Sequence, residues 1–205
     1  MNKSLLLALP LLAAAPILAQ SGAPQLPGVV DPSRVAAGTY AVDNHHAQIR
    51  WTVNHFGFND YFGIFGQPTG SLTIDPAKPN DAQVSITIPV TELATSHGDL
   101  TKHMMTADFL DAAKYPTATF VSTKVEAKGN KAKITGNLTL NGVTKPVVLD
   151  TTFSGAGNNP FNKKATVGFH ATAVIKRSEF GISYAVPMIS DDVTLDISVA
   201  FEKAS

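Results

Sequence analysis

The residues of this chain equipped for chemistry are six histidines, three arginines and scattered carboxylates; there is no cysteine. Three of the histidines bracket one stretch, His45-His46-Ala47-Gln48-Ile49-Arg50-Trp51-Thr52-Val53-Asn54-His55. Imidazoles serve as metal ligands, acid–base groups or hydrogen-bonding trim. A metal site needs ligands that converge within a few ångström. Along one extended strand His45 and His55 share a face but stand about 33 Å apart, and His46 points to the opposite face. His97 and His103 have neither the i+3 nor the i+4 spacing that pairs side chains on a helix. His170 falls on a polar face with Thr166 and Thr172. The histidines therefore read as structural trim, with His46, His55 and His103 as minor candidates for contact with a polar head group. No metal site and no cofactor are expected.

Nucleophilic catalysis has no constellation here. The Gly-x-Ser-x-Gly turn is absent, and the serines mostly sit in polar alternation. Asp43, Asp108 and Asp111 are available to pair with a histidine, but Asp108 is explained as a polar residue beside Phe109. Arg177 is different. It continues the apolar parity Val167, Phe169, Ala171, Ala173, Ile175, so its guanidinium is expected to point into or across an end of the fold. An inward cation needs a partner. Two roles stand open: an anchor for an anionic or carbonyl head group, or a plug stacked on an inner aromatic such as Trp51.

The elements that must position these residues are legible from Gly38 onward. In Val193-Thr194-Leu195-Asp196-Ile197-Ser198-Val199-Ala200-Phe201 every odd position is apolar. The same period of two runs through Ile49-Trp51-Val53, Val84-Ile86-Ile88, Ile134-Leu138-Leu140 and the Val167 series, and each reads as a strand with one oily face. Gly129-Asn130 and Asn141-Gly142 supply the chemistry of tight antiparallel turns. Eight strands are expected, near 39–55, 62–75, 82–91, 117–127, 131–140, 143–154, 164–177 and 192–203. One helix interrupts them, with Asp99 as N-cap and Met105, Phe109 and Ala113 at i, i+4 and i+8 before Tyr115-Pro116 stops it. Met104, Met105 and Phe109 would cap or pack on the strands, or form an adaptable lid for a hydrocarbon. Phe56-Gly57-Phe58 and Tyr61-Phe62-Gly63-Ile64-Phe65 suit a cavity mouth and core packing equally.

Strands of 11 to 15 residues exceed the usual ~5–6, and a closed barrel abolishes their edges. The expected fold is all-β: an antiparallel eight-stranded lipocalin-like barrel with one short helix capping or flanking it. Eight strands are just wide enough to hold one small ligand.

Composition narrows the partners. Met1-Asn2-Lys3, an apolar run from Ser4 to Leu18 and Ile17-Leu18-Ala19 before Gln20 form an export signal over 1–19. Residues 20–37 read as a flexible linker and 38–205 as the domain. Lys plus Arg and Asp plus Glu are 16 each, with no basic cluster that would track a phosphate backbone, so nucleic acid is not expected as a partner. The neutral surface leaves a homodimer open.

As a set, several blocks resemble the YceI-like family. They are Tyr40-x-x-Asp43-x-x-His46-x-x-Ile49-x-Trp51-x-Val53-x-His55-x-Gly57-Phe58 with Gly63-x-Phe65, then His103-Met104, Asp108-Phe109-Leu110-Asp111 and Lys114-Tyr115-Pro116-x-x-x-Phe120. Gly136-x-Leu138-Thr139-Leu140-x-Gly142-Val143-Thr144-Lys145-Pro146 and Arg177-Ser178-Glu179-Phe180-Gly181 follow in order. The chain departs from that pattern at Ala47, where a serine is usual, and at Leu100-Thr101, where an Arg-Asp pair is common. The resemblance implies a periplasmic lipocalin-like barrel that binds a polyisoprenoid or similar amphiphile, such as a quinone, in its cavity. Loading would involve transient membrane contact. The residues expected to bind are Trp51, His55, Phe58, Phe65, His103, Met105, Phe109, Phe169 and Arg177. The protein is expected not to be an enzyme; the alternative is an enzyme acting on a lipid within the same cavity.

Overall fold

A computed structural model describes residues 25–204; the signal expected over 1–19 lies outside them. The first strands are β1 (Gly38–Val42), β2 (Gln48–His55), β3 (Asn59–Phe65), β4 (Thr69–Ile74), β5 (Gln83–Pro89) and the two-residue β6 (Leu93–Ala94). A short helix, α1 (Gly98–Met104), follows. The long strands are β7 (Thr117–Lys128), β8 (Lys131–Leu140), β9 (Val143–Asn158), β10 (Ala165–Lys176) and β11 (Asp192–Lys203).

All pairings are antiparallel, and they run around a ring in the order β1-β4-β5-β7-β8-β9-β10-β11. The ring closes where β11 pairs with β1, Phe201 opposite Val42. This is the expected eight-stranded barrel. Toward its other end β11 pairs instead with β2, Leu195 opposite Trp51, and β3 and β6 continue from β2. Three of the eight ring positions are therefore built from two segments each: β1 with β2, β4 with β3, and β5 with β6.

Those splits correct two expected strands. The run 39–55 is broken at 43–47, where the amides of His46 and Ala47 both donate to the Asp43 carbonyl. His45 thus sits in a turn, not on the strand face shared with His55. The run 62–75 is broken at Gly66-Gln67-Pro68, where Gln67 takes φ 51° and Pro68 has no N–H for a ladder. The turn residues were present in the sequence, and the inward parity changes across each break, from Tyr40 and Val42 to Ile49 and Trp51, and from Gly63 and Phe65 to Leu72 and Ile74.

The helix is also shorter than its apolar spacing suggests. It starts after His97 and ends at Met105, and Asp111 at φ 43° reverses the chain before Pro116. Met105 and Phe109 do not share a helical stripe. They reach the core through a coiled loop in which the Leu110 amide donates to Met104 and the Ala112 amide to Met105. The Asn141-Gly142 turn matches its reading: both residues have positive φ, 50° and 74°, as a type I′ hairpin requires.

The core has two parts. One fills the end of the barrel that carries α1 and the 177–191 loop, and includes Trp51, Leu93, Phe120, Phe180 and Ile182. The other lies toward the opposite end around Tyr40, Leu72, Phe153, Val167 and Phe201.

Candidate functional site

Inward parity along the strands would produce a solid core if the side chains met at the barrel axis. They do not. Val84, Ile86, Ile134, Leu149, Leu195, Ile197 and Val199 all face inward, yet each is only half-buried. The space they leave is a cavity of about 290 Å³ between the two halves of the core. That is near the lower bound for small-molecule sites and well above a void that stays empty in a packed interior. Its wall is apolar almost throughout, and it contains no histidine and no carboxylate.

Of the polar residues along the wall, Gln48, Asn130, Lys131, Thr151 and Ser198, Thr151 is the buried one. On β9, Val147, Leu149, Thr151 and Phe153 alternate inward; Thr151 is 8% exposed. Its hydroxyl has no hydrogen-bond partner among the described residues.

The cavity reaches the barrel end formed by the β4–β5 loop and the β7–β8 turn. Exposed Pro76, Pro79, Gly129 and Asn130 line it there. Residues 25–37, the described part of the segment read as a linker, lie against this mouth. Val29 exchanges two backbone hydrogen bonds with Ala156, 3.1 and 2.9 Å. It occupies the β9 edge left free where β8 starts, Lys131 lying opposite Thr152. The Pro27 carbonyl lies against Gly157 where a Cβ would stand, so glycine is needed there. Asp31 then caps a 3-10 turn, Pro32–Arg34, and Pro32 and Val35 close over the cavity.

Of the residues expected to bind, the structure places only Phe169 on the cavity wall. Its ring stacks edge-on against Phe153 and Phe201. Trp51 is buried in the far core, its indole N–H without a partner among the described residues, and Phe65, Met105 and Phe109 pack on the same core. His55 is half-buried against Phe56, ring centroids 4.3 Å apart. Phe58 stands 89% exposed at the β2–β3 hairpin tip. His103 joins Asp108 at 2.9 Å and stacks on Phe109 and Tyr184 at the outer surface of the far end. His46 pairs with Asp43 and His170 with Asp196, both at the surface. Among the described residues, no three His, Asp or Glu side chains gather as a metal site would require.

Arg177 is buried, 6% exposed, and begins the 3-10 turn Arg177–Phe180. Its Nε donates to the Ser190 carbonyl and one terminal nitrogen to that of Ile189, both at 2.9 Å. The other donates to the Ile182 and Tyr184 carbonyls at 3.2 and 2.8 Å. Burial pushes its pKa down, partly opposed by Asp191 nearby. Four carbonyls thus engage the guanidinium, and the 182–191 loop is wound around it. It closes the far end of the barrel by gripping backbone, without a stack on Trp51.

The cavity wall includes Ile86, Ile134, Leu149, Thr151 and Ile197, none of them among the residues expected to bind, because parity says which side chains point inward but not where they fail to meet. The threonine standing in an apolar place on β9 was the readable signal.

A closed antiparallel barrel with a hollow apolar interior, packed at one end and strapped at the other, has lipocalin-like architecture. This chain belongs to the YceI-like domain family, whose model matches residues 40–201. Protein YceI of Escherichia coli O157:H7 is 41% identical over 165 residues, 80% of this chain and 86% of that protein. The crystal structure of Burkholderia cenocepacia BcnA superposes with a TM-score of 0.70 at 26% identity, covering 78% of this chain and 98% of that one. A polyisoprenoid binding domain from Saccharophagus degradans shares the fold at 13% identity, with a TM-score of 0.62 over 82% of this chain and all of that one. The strap at residues 27–35 lies outside the stretch that the family model matches.

Proposed function

We propose that this chain is an exported, non-catalytic carrier that holds a polyisoprenoid or similar long-chain amphiphile, such as a quinone, in the barrel cavity. The observation that carries the reading is the ring of half-buried inward Ile, Leu and Val side chains around an apolar cavity. Such a wall loses free energy when it meets hydrocarbon. Burying ~400 Å² of ligand at ~25 cal/mol per Å² gives roughly 10 kcal/mol gross, and association and ordering remove about half or more. Micromolar or tighter binding then needs few polar contacts. The polyisoprenoid binding domain of like fold supports the ligand class. A lipid-modifying enzyme would place its acid–base group in the cavity, and the His103–Asp108 pair is instead at the outer surface.

Loading from a membrane, with the cavity mouth as the contacting end, completes the proposal. Native mass spectrometry of the chain purified from a bacterial periplasm without detergent tests it. The expected spectrum shows a protein starting at Gln20 and a discrete adduct of lipid mass that extracts into organic solvent. A bare protein with no lipid in the extract would overturn the carrier reading, and a mass retaining residues 1–19 would overturn export with cleavage.

A further inference from the structure

We infer that the Thr151 hydroxyl selects a ligand that carries an oxygen, and that it holds this oxygen at the mouth side of the cavity with the hydrocarbon running inward. The inference rests on the carrier reading and specifies the ligand's polarity and direction.

On β9 the inward row is Val147, Leu149, Thr151, Phe153, and only Thr151 brings a polar atom to it. A threonine on a pleated strand ordinarily turns its hydroxyl to water or to a neighbouring group. Here the side chain is 8% exposed and Oγ1 has no partner among the described residues. A buried hydroxyl left unpaired is destabilising, and a valine of nearly the same shape would remove that penalty. Thr151 lines the cavity while its hydroxyl is enclosed by the wall, and a turn about the Cα–Cβ bond presents that hydroxyl to a bound oxygen, from a carbonyl, ether or alcohol, which completes its hydrogen bond.

Register fixes its depth. Thr151 lies opposite Ala132 on β8, one residue in from Lys131 at the β7–β8 turn, and opposite Ala171 on β10. Asn130 and Lys131 line the cavity at that turn, so the wall becomes more polar from Thr151 outward. In the other direction lie Leu149, Ile134, Ile88 and Leu138, with no polar side chain among them. A ligand with its oxygen at Thr151 therefore has only hydrocarbon beyond it. Its two cross-strand neighbours, Ala132 and Ala171, are small and line the cavity with it.

The test compares Thr151→Val with the parent chain, using a short-tailed benzoquinone and a plain prenyl hydrocarbon of similar length as probes in a fluorescence competition assay. The parent is expected to bind both, the quinone more tightly. Thr151→Val is expected to weaken the quinone by about 10-fold, the order of one hydrogen bond in a dry site, and to leave the hydrocarbon within about twofold. Its thermal midpoint should equal or exceed the parent's, which shows that the fold is intact. Equal loss of both probes, or no loss of either, would overturn the anchor while leaving the carrier reading standing. Failure of the parent to bind either probe would overturn both.

Discussion

Phe153 and Phe169 face each other across β9 and β10 with ring centroids 5.8 Å apart and planes inclined by 61°. The pairing exists because the register slips there: Gly168 lies opposite Gly155, yet Phe169 lies opposite Phe153, and Ser154 is left over as a bulge. The bulge rotates both rings into the barrel, where they line the cavity and pack in the mouth-side core.

Filling the space beside those rings should separate stability from binding. Ala171 lines the cavity two residues beyond Phe169. In a solid core Ala171→Phe would overpack at about 1–3 kcal/mol. Here the ring enters empty space, so the thermal midpoint is expected to hold or rise while the lipid adduct disappears from native mass spectra. A large fall in the midpoint would show that the space is not available.

Arg177 should be structural and sensitive to chemistry more than to charge. Its planar fork meets four carbonyls at once, a pattern that an ammonium cannot reproduce. Arg177→Met strips those buried carbonyls of donors, and a loss of roughly 3 kcal/mol or more is expected. Arg177→Lys should recover only a minor part of it. Urea unfolding followed by Trp51 fluorescence measures both, and a variant as stable as the parent would refute the role.

Acid should weaken the fold through three carboxylates. The Ser178 amide and hydroxyl, each at 2.8 Å, hold the Asp191 carboxyl below its ordinary pKa. His170, and then the charge of Arg50, do so for Asp196, and Asn162, then Asn159, for Glu202. A carboxyl whose folded pKa is depressed contributes stability above its unfolded value, near 4. That contribution is lost as pH falls through the folded value. The thermal midpoint should thus be flat above about pH 5 and fall below about pH 4. Asp191→Asn should start lower at pH 7 and lose less on acidification.

The strap can be lifted without touching the cavity wall. Gly157→Val would set side-chain atoms where the Pro27 carbonyl now lies, while Pro32 and Val35 are released from the mouth. Bound lipid is expected to exchange several-fold faster, read by stopped-flow transfer to acceptor vesicles, with a modest loss of stability. Unchanged exchange would show that the strap does not gate the mouth.

Charge is distributed unequally along the barrel axis despite the neutral total. The mouth end carries Lys78, Lys128, Lys131 and Lys163, none in an ion pair among the described residues, against Asp31, Asp75 and Asp81, as well as Phe161, 92% exposed on the β9–β10 loop. Amphipathic tips of this kind favour anionic bilayer surfaces. Vesicles of phosphatidylglycerol are expected to retain the protein better than phosphatidylcholine, and Phe161→Ser or Lys128→Glu with Lys131→Glu should reduce retention several-fold. Phe58→Ser, at the opposite end, should not. Equal loss from Phe58→Ser would reverse the assigned end.

Alternation alone determined the fold class, the inward faces of β5, β8, β10 and β11, and the Asn141-Gly142 hairpin, because side-chain direction in a strand has period two and turn chemistry is local. The linked motifs from Tyr40 to Gly181 determined the family. Tertiary structure decided what no local pattern carries. It split 39–55 and 62–75, since each half pairs with a different stretch of its neighbours. It turned Arg177 into a clamp on carbonyls that lie up to 13 residues away in sequence. It also put the hollow next to Phe169 and Thr151 rather than Trp51 and His103. Where inward side chains meet and where they fall short depends on the barrel's diameter and on which large and small residues face each other across it. Those distances exist only once the ring has closed.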